Sequence, residues 1–157
     1  MSTPDFVLRL REKVGHELLW LIGVTAVVVK GDEVLLVERA DNGLVTPVTG
    51  IVDPGEDPTL AAVREVAEEA GISARAEAIV WVHALPPMTY ANGDRAQYLD
   101  IVVRCSADGG DPHPADGENT RAWWCPIDEI AAAGVNDDMR ERIREALVHE
   151  GSARFDR

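Results

Sequence analysis

The residues with the clearest chemical potential are three glutamates, Glu65, Glu68 and Glu69, that lie close together between Gly50 and Ile72. A helix over this segment would place the three carboxylates together, on the side opposite an apolar stripe. The predicted stripe consists of Leu60, Val63, Ala67 and Ala70. Like charges at these spacings destabilise a helix by about 0.2–0.5 kcal/mol per pair. The cluster therefore indicates a positively charged ligand, and a hard divalent cation with oxygen ligands is the natural candidate.

The spacing around the glutamates follows a longer pattern. It runs glycine, five residues, glutamate, seven residues, arginine–glutamate, an aliphatic residue, any residue, two glutamates, any residue, glycine and an aliphatic residue. The segment resembles the signature of the Nudix hydrolases, and every specified position is filled. The positions are Gly50, Glu56, Arg64, Glu65, Val66, Glu68, Glu69, Gly71 and Ile72. A pattern of this length is far more specific than a short glycine motif.

The resemblance implies an enzyme that hydrolyses a diphosphate linked to another moiety, using Mg²⁺ or Mn²⁺ and an activated water. It makes Glu65 and Glu69 the expected direct metal ligands, and Glu68 a ligand or a proton acceptor. The carbonyl group of Gly50 is a further expected ligand, because glycine lets the backbone approach closely. Glu56 is expected to bind a second metal or to orient a metal-bound water.

Two further residues are candidates for catalytic roles. Arg64 lies four residues before Glu68, so it can hold that carboxylate in place or form only a surface ion pair. Glu118 lies in a loop ahead of a predicted strand and is the candidate general base. Nudix hydrolases place this base differently, some within the signature and some in a later loop.

Residues outside the signature decide the substrate. Tyr90 can stack on a base, and Arg39 or Arg95 can hold a phosphate. By resemblance, Pro87 is a marker of ADP-ribose hydrolysis and Tyr90 of dinucleoside polyphosphate hydrolysis. Relatives often carry a second glycine where this chain has Thr49, whose branched side chain narrows the backbone options beside the metal site.

The expected function is therefore pyrophosphohydrolysis of a nucleoside diphosphate linked to another moiety, with ADP-ribose or a sugar nucleotide favoured. Nucleoside triphosphates, including oxidised ones, and dinucleoside polyphosphates are the alternative substrates. The alternative of a different class is a nucleotide-binding sensor that cleaves nothing. Such a sensor would be expected to have lost acids from the signature, and this chain retains them all.

Composition limits the partners. The chain has 157 residues, of which 46% are hydrophobic and 27% charged, as in an ordinary globular domain. A formal net charge of −13 disfavours a nucleic-acid polymer or an anionic membrane as a partner. A small anionic nucleotide is still compatible, because a bound cation reverses the local field.

The compartment is predicted from the apolar segments and the cysteines. No secretory signal is visible at the N-terminus, and the apolar run Leu18 to Val29 is too short to span a bilayer. Cys105 and Cys125 resemble half-buried strand thiols of a reducing compartment. These features predict a cytoplasmic protein.

The signature requires elements that hold it in place. Asp57-Pro58 predicts the start of its helix, and Gly71 predicts the end. Strands and helices alternate without regular βαβ order, which predicts an α+β mixed sheet between helices. The strands are predicted at residues 22–29, 34–37, 45–52, 74–85, 98–107 and 122–125, with the first two joined as a hairpin at Gly31-Asp32. A short helix is also predicted near residues 127–132.

The resemblance implies the same architecture, a Nudix-type α/β/α sandwich with a mixed sheet and the signature loop-helix. It predicts a single domain over residues 1–157, with an N-terminal helical extension at 1–20 and a C-terminal helix at 136–150. The N-terminal helix carries the apolar residues Phe6, Val7 and Leu10. They predict either packing on its own domain or a homodimer interface.

Overall fold

A mixed sheet forms the centre of the fold in the computed structural model, which describes residues 3–156. Over these residues, the strands are β1 (Leu19–Lys30), β2 (Glu33–Arg39), β3 (Val45–Thr46), β4 (Val48–Ile51), β5 (Arg75–Ala84), β6 (Met88–Thr89), β7 (Arg95–Ser106), β8 (Asn119–Pro126) and β9 (Arg154–Phe155). The α-helices are α1 (Asp5–Val14), α2 (Pro58–Ala70) and α3 (Asp137–Val148).

The central strand β1 organises the sheet. It pairs in parallel with β7 from Leu19↔Ala96 to Val29↔Ser106, while its other neighbours, β2 and β4, are antiparallel. The main strand order is β3-β2-β1-β7-β5-β9, with β4 on β1, β6 on β7 and β8 on β2. The pair Lys30↔Glu33 closes a hairpin at residues 31–32, as predicted. This arrangement confirms the predicted mixed sheet.

Helices α2 and α3 cover the two faces of the sheet, because alternate residues of each strand point to opposite sides. On β1, Val24, Ala26 and Val28 belong to the core cluster that contains the buried residues of α2. Val27 belongs to the second cluster, with Ile143 of α3. The result is the predicted α/β/α sandwich.

Helix α1 packs against its own domain. Val7 is buried in a third cluster with Leu21 and Tyr98, and Phe6 packs against it. Leu10 stays exposed, and a homodimer remains a prediction. Residues 1 and 2 of the predicted extension lie outside the described residues, as does residue 157 at the end of the chain.

Several boundaries differ from the predictions. The short helix predicted at residues 127–132 is wrong, because only a 3₁₀ turn, Ile127–Glu129, is present. The strand predicted at 122–125 extends over the whole of β8. Cys105 and Cys125 are free thiols in strands, as predicted, but they are buried rather than half-buried, and they lie in clusters on opposite faces of the sheet. Among residues 3–156, no helix has the length and apolarity to cross a membrane.

Candidate active site

Helix α2 buries two of the signature glutamates. It begins at Pro58 after Asp57 and ends at Gly71, whose φ of 65° is left-handed, so both predicted boundaries are confirmed. The buried residues recur in adjacent pairs and are Ala61, Ala62, Glu65, Val66, Glu69 and Ala70. The predicted stripe is wrong: Leu60 is 62% exposed, and Ala67 is also exposed. The helix buries Ala61, Ala62 and Ala70 rather than Leu60. The buried side of the helix is therefore rotated from the predicted one, and it includes Glu65 and Glu69.

Gly50 lies directly against one of these glutamates. It pairs with Val24 in the β4–β1 ladder, which fixes its backbone. A Cβ atom at this position would lie 2.3 Å from Cγ, Cδ and Oε1 of Glu65. Glycine is therefore required for the Glu65 side chain to occupy its present position, so the first signature glycine and the first helical glutamate form one structural unit.

Arg64 joins three carboxylates of the signature. Its Nε donates to Oε1 of Glu56 at 2.8 Å, and its Nη2 donates to Oε2 of the same group at 2.9 Å. Its Nη1 donates to Glu65 at 2.9 Å and to Glu68 at 3.1 Å, so the predicted i,i+4 pair is present. The hydrogen bond from Arg64 lowers the pKa of Glu56. Both Glu56 oxygens are thus engaged by an arginine, and its role with a metal stays a prediction.

Burial disfavours the charged form of both Glu65 and Glu69. Burial raises the pKa of Glu65 to about 7, although Arg64 opposes the rise. Burial also raises the pKa of Glu69, against a hydrogen bond of 3.0 Å that its Oε2 accepts from Asn119. The other oxygen of Glu69, Oε1, is buried and has no hydrogen-bond partner among residues 3–156. A cation next to these carboxylates would offset the cost of burying their charge.

An acidic cavity of about 410 Å³ opens beside Glu65. Among residues 3–156, five carboxylates line it and Arg64 is the one cationic lining residue; the carboxylates are those of Asp53, Glu65, Glu68, Asp116 and Glu118. The structure therefore brings Glu118, which is distant in sequence, to the same cavity as Glu65 and Glu68 of the signature. Within the described part of the chain, no three His, Cys, Asp or Glu side chains are close enough together to form a metal site in this conformation.

A second cavity, which we call the central cavity, has Gly50 in its lining. It encloses about 230 Å³ and is lined by Arg39, Thr49, Gly50 and Tyr90 among others. Arg39 also binds Asp41 there, at 3.1 Å. Arg95 is not a lining residue of either cavity. It forms an exposed ion pair with Glu17 at 3.3 Å instead.

Sequence reasoning missed the polar floor of the central cavity. Asp100 and Arg142, 4% and 1% exposed, line it and form an ion pair at 2.8 Å. Burial alone would raise the pKa of Asp100, but hydrogen bonds from His83, Arg142 and Thr25 hold it below its ordinary value. The signal was available, because Asp100 interrupts the apolar run of β7 and Arg142 lies next to Ile143 on the apolar side of α3.

Comparisons with known proteins give one consistent family. The NUDIX domain model matches residues 20–146. A MutT-like protein of Streptomyces ambofaciens is 32% identical over 70% of this chain and 66% of its own length. An NAD-capped RNA hydrolase, NudC, of Pseudomonas syringae pv. tomato is 29% identical over 92% of this chain, which spans only 48% of that protein. A solved NUDIX hydrolase from Nitrosomonas europaea is 30% identical, with a TM-score of 0.66 over 82% of this chain and 89% of its own.

Proposed function

The chain belongs to the NUDIX family, and we propose that it is a Mg²⁺- or Mn²⁺-dependent pyrophosphohydrolase of a nucleoside diphosphate linked to another moiety. The observation that carries this proposal is the unit formed by Gly50 and the buried Glu65, which lines the acidic cavity, together with the buried Glu69 one helical turn further on. Its relatives carry hydrolase and MutT-like names, and all the signature acids are retained.

The proposed metal ligands are the carboxylates of Glu65 and Glu69, with Glu68 and the Gly50 carbonyl as further oxygen donors. Oxygen donors of this kind suit Mg²⁺ and Mn²⁺. The burial of Glu65 and Glu69, which Arg64 and Asn119 offset only in part, supports the assignment, because each carboxylate is held where its charge is disfavoured. When bound, such a cation neutralises phosphoryl oxygens and lowers the pKa of an attacking water.

Three further residues, two at the acidic cavity and one at the central cavity, have supporting roles. Arg64 holds the carboxylates of Glu56, Glu65 and Glu68 in fixed positions through its hydrogen bonds. Glu118 accepts the proton of the attacking water as general base, because it lines the cavity that contains Glu65. Arg39 lines the central cavity and is placed to bind a phosphate.

The proposed substrate is a sugar nucleotide, of which ADP-ribose is one example. One cavity is lined by Gly50 and the other by Glu65, whose side chain lies against Gly50; two such cavities fit a molecule with a diphosphate next to a ring. The relative from Pseudomonas syringae is named for NAD-capped RNA, and an NAD cap also contains a diphosphate between two nucleosides. Nucleoside triphosphates and dinucleoside polyphosphates share this bond and are the alternative substrates. We propose a small nucleotide rather than a polymer, since the net charge is −13.

A hydrolysis screen tests the proposal. Sugar nucleotides, nucleoside triphosphates and dinucleoside polyphosphates would be incubated with the protein in Mg²⁺, Mn²⁺ or chelator, and the products identified by mass. A sugar nucleotide should yield a nucleoside monophosphate and a sugar phosphate only with metal. Thermal stabilisation by a nucleotide without any product, under every metal condition, would instead identify a sensor.

A further inference from the structure

The central cavity combines apolar walls with a buried polar floor. Its apolar lining includes the side chains of Leu44, Leu85, Met88 and Met139. Thr25, Thr46, Asp100 and Arg142 also line it, and each is at least nine-tenths buried. Its volume of about 230 Å³ lies below the roughly 300–1,000 Å³ of pockets for whole drug-sized ligands. The cavity is therefore suited to one flat ring system with a polar edge.

The hydrogen-bond donors of Arg142 are only partly used. Its Nε donates to Oδ2 of Asp100 at 2.8 Å, and its Nη1 donates to the Asp138 carbonyl oxygen at 3.0 Å. Nη1 also lies 2.6 Å from Oδ2 of Asp138. Within residues 3–156, the bonds and ion pairs of this side chain involve Nε and Nη1, and none involves Nη2. A buried guanidinium in the cavity lining thus retains a donor group for a ligand.

The acceptors of Asp100 are already engaged. Its Oδ1 accepts from the Thr25 hydroxyl at 2.9 Å. Its Oδ2 is bonded to Arg142 and lies 3.1 Å from Nε2 of His83. The floor therefore offers a ligand donors more readily than it offers acceptors.

Thr46 adds a second, independent observation. It lines the same cavity and is 2% exposed, and its hydroxyl is buried without a hydrogen-bond partner among the described residues. Buried hydroxyl groups in proteins are usually hydrogen-bonded, so an unpartnered one at a cavity wall points to a polar ligand atom.

We propose that the central cavity binds the nucleobase of the substrate through a carbonyl-bearing edge, with Arg142 and Thr46 as the residues that determine base specificity. This inference rests on the proposed function, because Gly50 links the cavity to Glu65 and so places the phosphates of a bound nucleotide at the acidic cavity. An adenine or cytosine amino group at this edge would face the Arg142 guanidinium donor to donor, whereas a carbonyl accepts from both Arg142 and the Thr46 hydroxyl. Among sugar nucleotides, the favoured substrates are accordingly those of a keto base, which places ADP-ribose, an adenine nucleotide, behind them.

Equilibrium binding of nucleoside monophosphates tests this inference without any hydrolysis. Inosine monophosphate and AMP differ at position 6 of the purine, as UMP and CMP differ at position 4 of the pyrimidine, by a carbonyl in place of an amino group. Calorimetry in Mg²⁺ should show each keto nucleotide binding about tenfold more tightly than its amino counterpart. Equal affinities within either pair, or ribose 5-phosphate binding as tightly as inosine monophosphate, would overturn the proposal.

Thr46→Val supplies the matching test on the protein. The substitution keeps the shape and removes a hydroxyl that has no internal partner, so the thermal midpoint should not fall. The preference for inosine monophosphate over AMP should shrink several-fold. Thr120→Val is the control, because the Thr120 hydroxyl lies 3.3 Å from the Glu38 carbonyl on the exposed side of β8. The preference of this variant for inosine monophosphate over AMP should match that of wild type. An unchanged preference in Thr46→Val overturns the role of Thr46. Absence of hydrolysis with every substrate would refute the proposed function alone, since the binding preference is measured separately.

Discussion

The substitution Gly50→Ala should disable the site by moving one carboxylate. Its Cβ would lie 2.3 Å from three atoms of the Glu65 side chain, whereas ordinary contacts are 3.4–4 Å. Either Glu65 or the β4 backbone must therefore move by more than about 1 Å, the scale on which misplacement costs activity. The backbone is held by the Val24↔Gly50 pairing, so we expect the side chain to move.

The expected loss follows from that displacement. A misplacement of about 1 Å costs on the order of 10²-fold in rate, which corresponds to about 2.7 kcal/mol in the barrier. We expect kcat at saturating Mg²⁺ and sugar nucleotide to fall by this factor. The free energy of unfolding should fall by about 1–3 kcal/mol, as for other overpacked sites.

A double-mutant cycle isolates the cause. Glu65→Ala removes all three atoms that the new Cβ would contact, so adding Gly50→Ala to Glu65→Ala should change neither stability nor residual kcat further. A kcat of Gly50→Ala within threefold of wild type would refute the dependence on Glu65 placement. An equal loss of stability in both backgrounds would refute the contact between the two residues.

Asp100→Asn should lower the free energy of unfolding by about 3–5 kcal/mol in urea, because it removes the buried counter-charge of Arg142 and leaves only the exposed Asp138 carboxylate; a loss under about 1 kcal/mol would contradict this. Burial raises the pKa of Glu65 from 4.5 to about 7, so the folded state binds more protons than the unfolded state between these values. Without metal, wild type should therefore lose on the order of 2 kcal/mol of stability relative to Glu65→Gln between pH 5 and 8. A pH-independent difference between the two unfolding curves would oppose that expectation. Glu118→Gln should reduce kcat by about 10²–10⁴-fold, as for loss of a general base. Asp116→Asn, in the same cavity, should reduce it by less than about tenfold, and equal reductions would argue against Glu118 as the base.

The sequence predicted the parts of the fold that local chemistry determines. Proline after Asp57 and glycine at 71 fixed the limits of α2, and the spacing of the signature identified the family. The hairpin at residues 31–32 was equally local. These features depend on backbone conformations that few residue types adopt, so they are visible without knowledge of the tertiary structure.

The buried face of α2 could not be predicted in the same way. The prediction assigned Leu60 to the core because it shares a helical stripe with Val63, Ala67 and Ala70, yet the alanines that α2 buries are Ala61, Ala62 and Ala70. Glu65 and Glu69 are buried as a consequence. Burial of a charged group depends on the cavity beside it, which is a tertiary property.

Long-range pairing explains the remaining differences. Asp100 and Arg142 lie 42 residues apart, and each alone resembles an exception to an apolar pattern. Only the packing of α3 on β7 brings them together. Arg95, by contrast, matched the expected residue type for phosphate binding, but it lies in an exposed ion pair with Glu17.

The most direct test of the proposed metal-dependent hydrolysis is the release of nucleoside monophosphate from a sugar nucleotide by Glu69→Gln, measured across a Mg²⁺ titration. Glu69 is 1% exposed and its Asn119 bond can persist with an amide oxygen, so circular dichroism should report an intact fold. Glu12→Gln, on the exposed side of α1, is the control and should match wild type. We predict no metal-dependent release by Glu69→Gln at any Mg²⁺ concentration. Turnover equal to that of wild type would contradict the metal role assigned to the acid cluster.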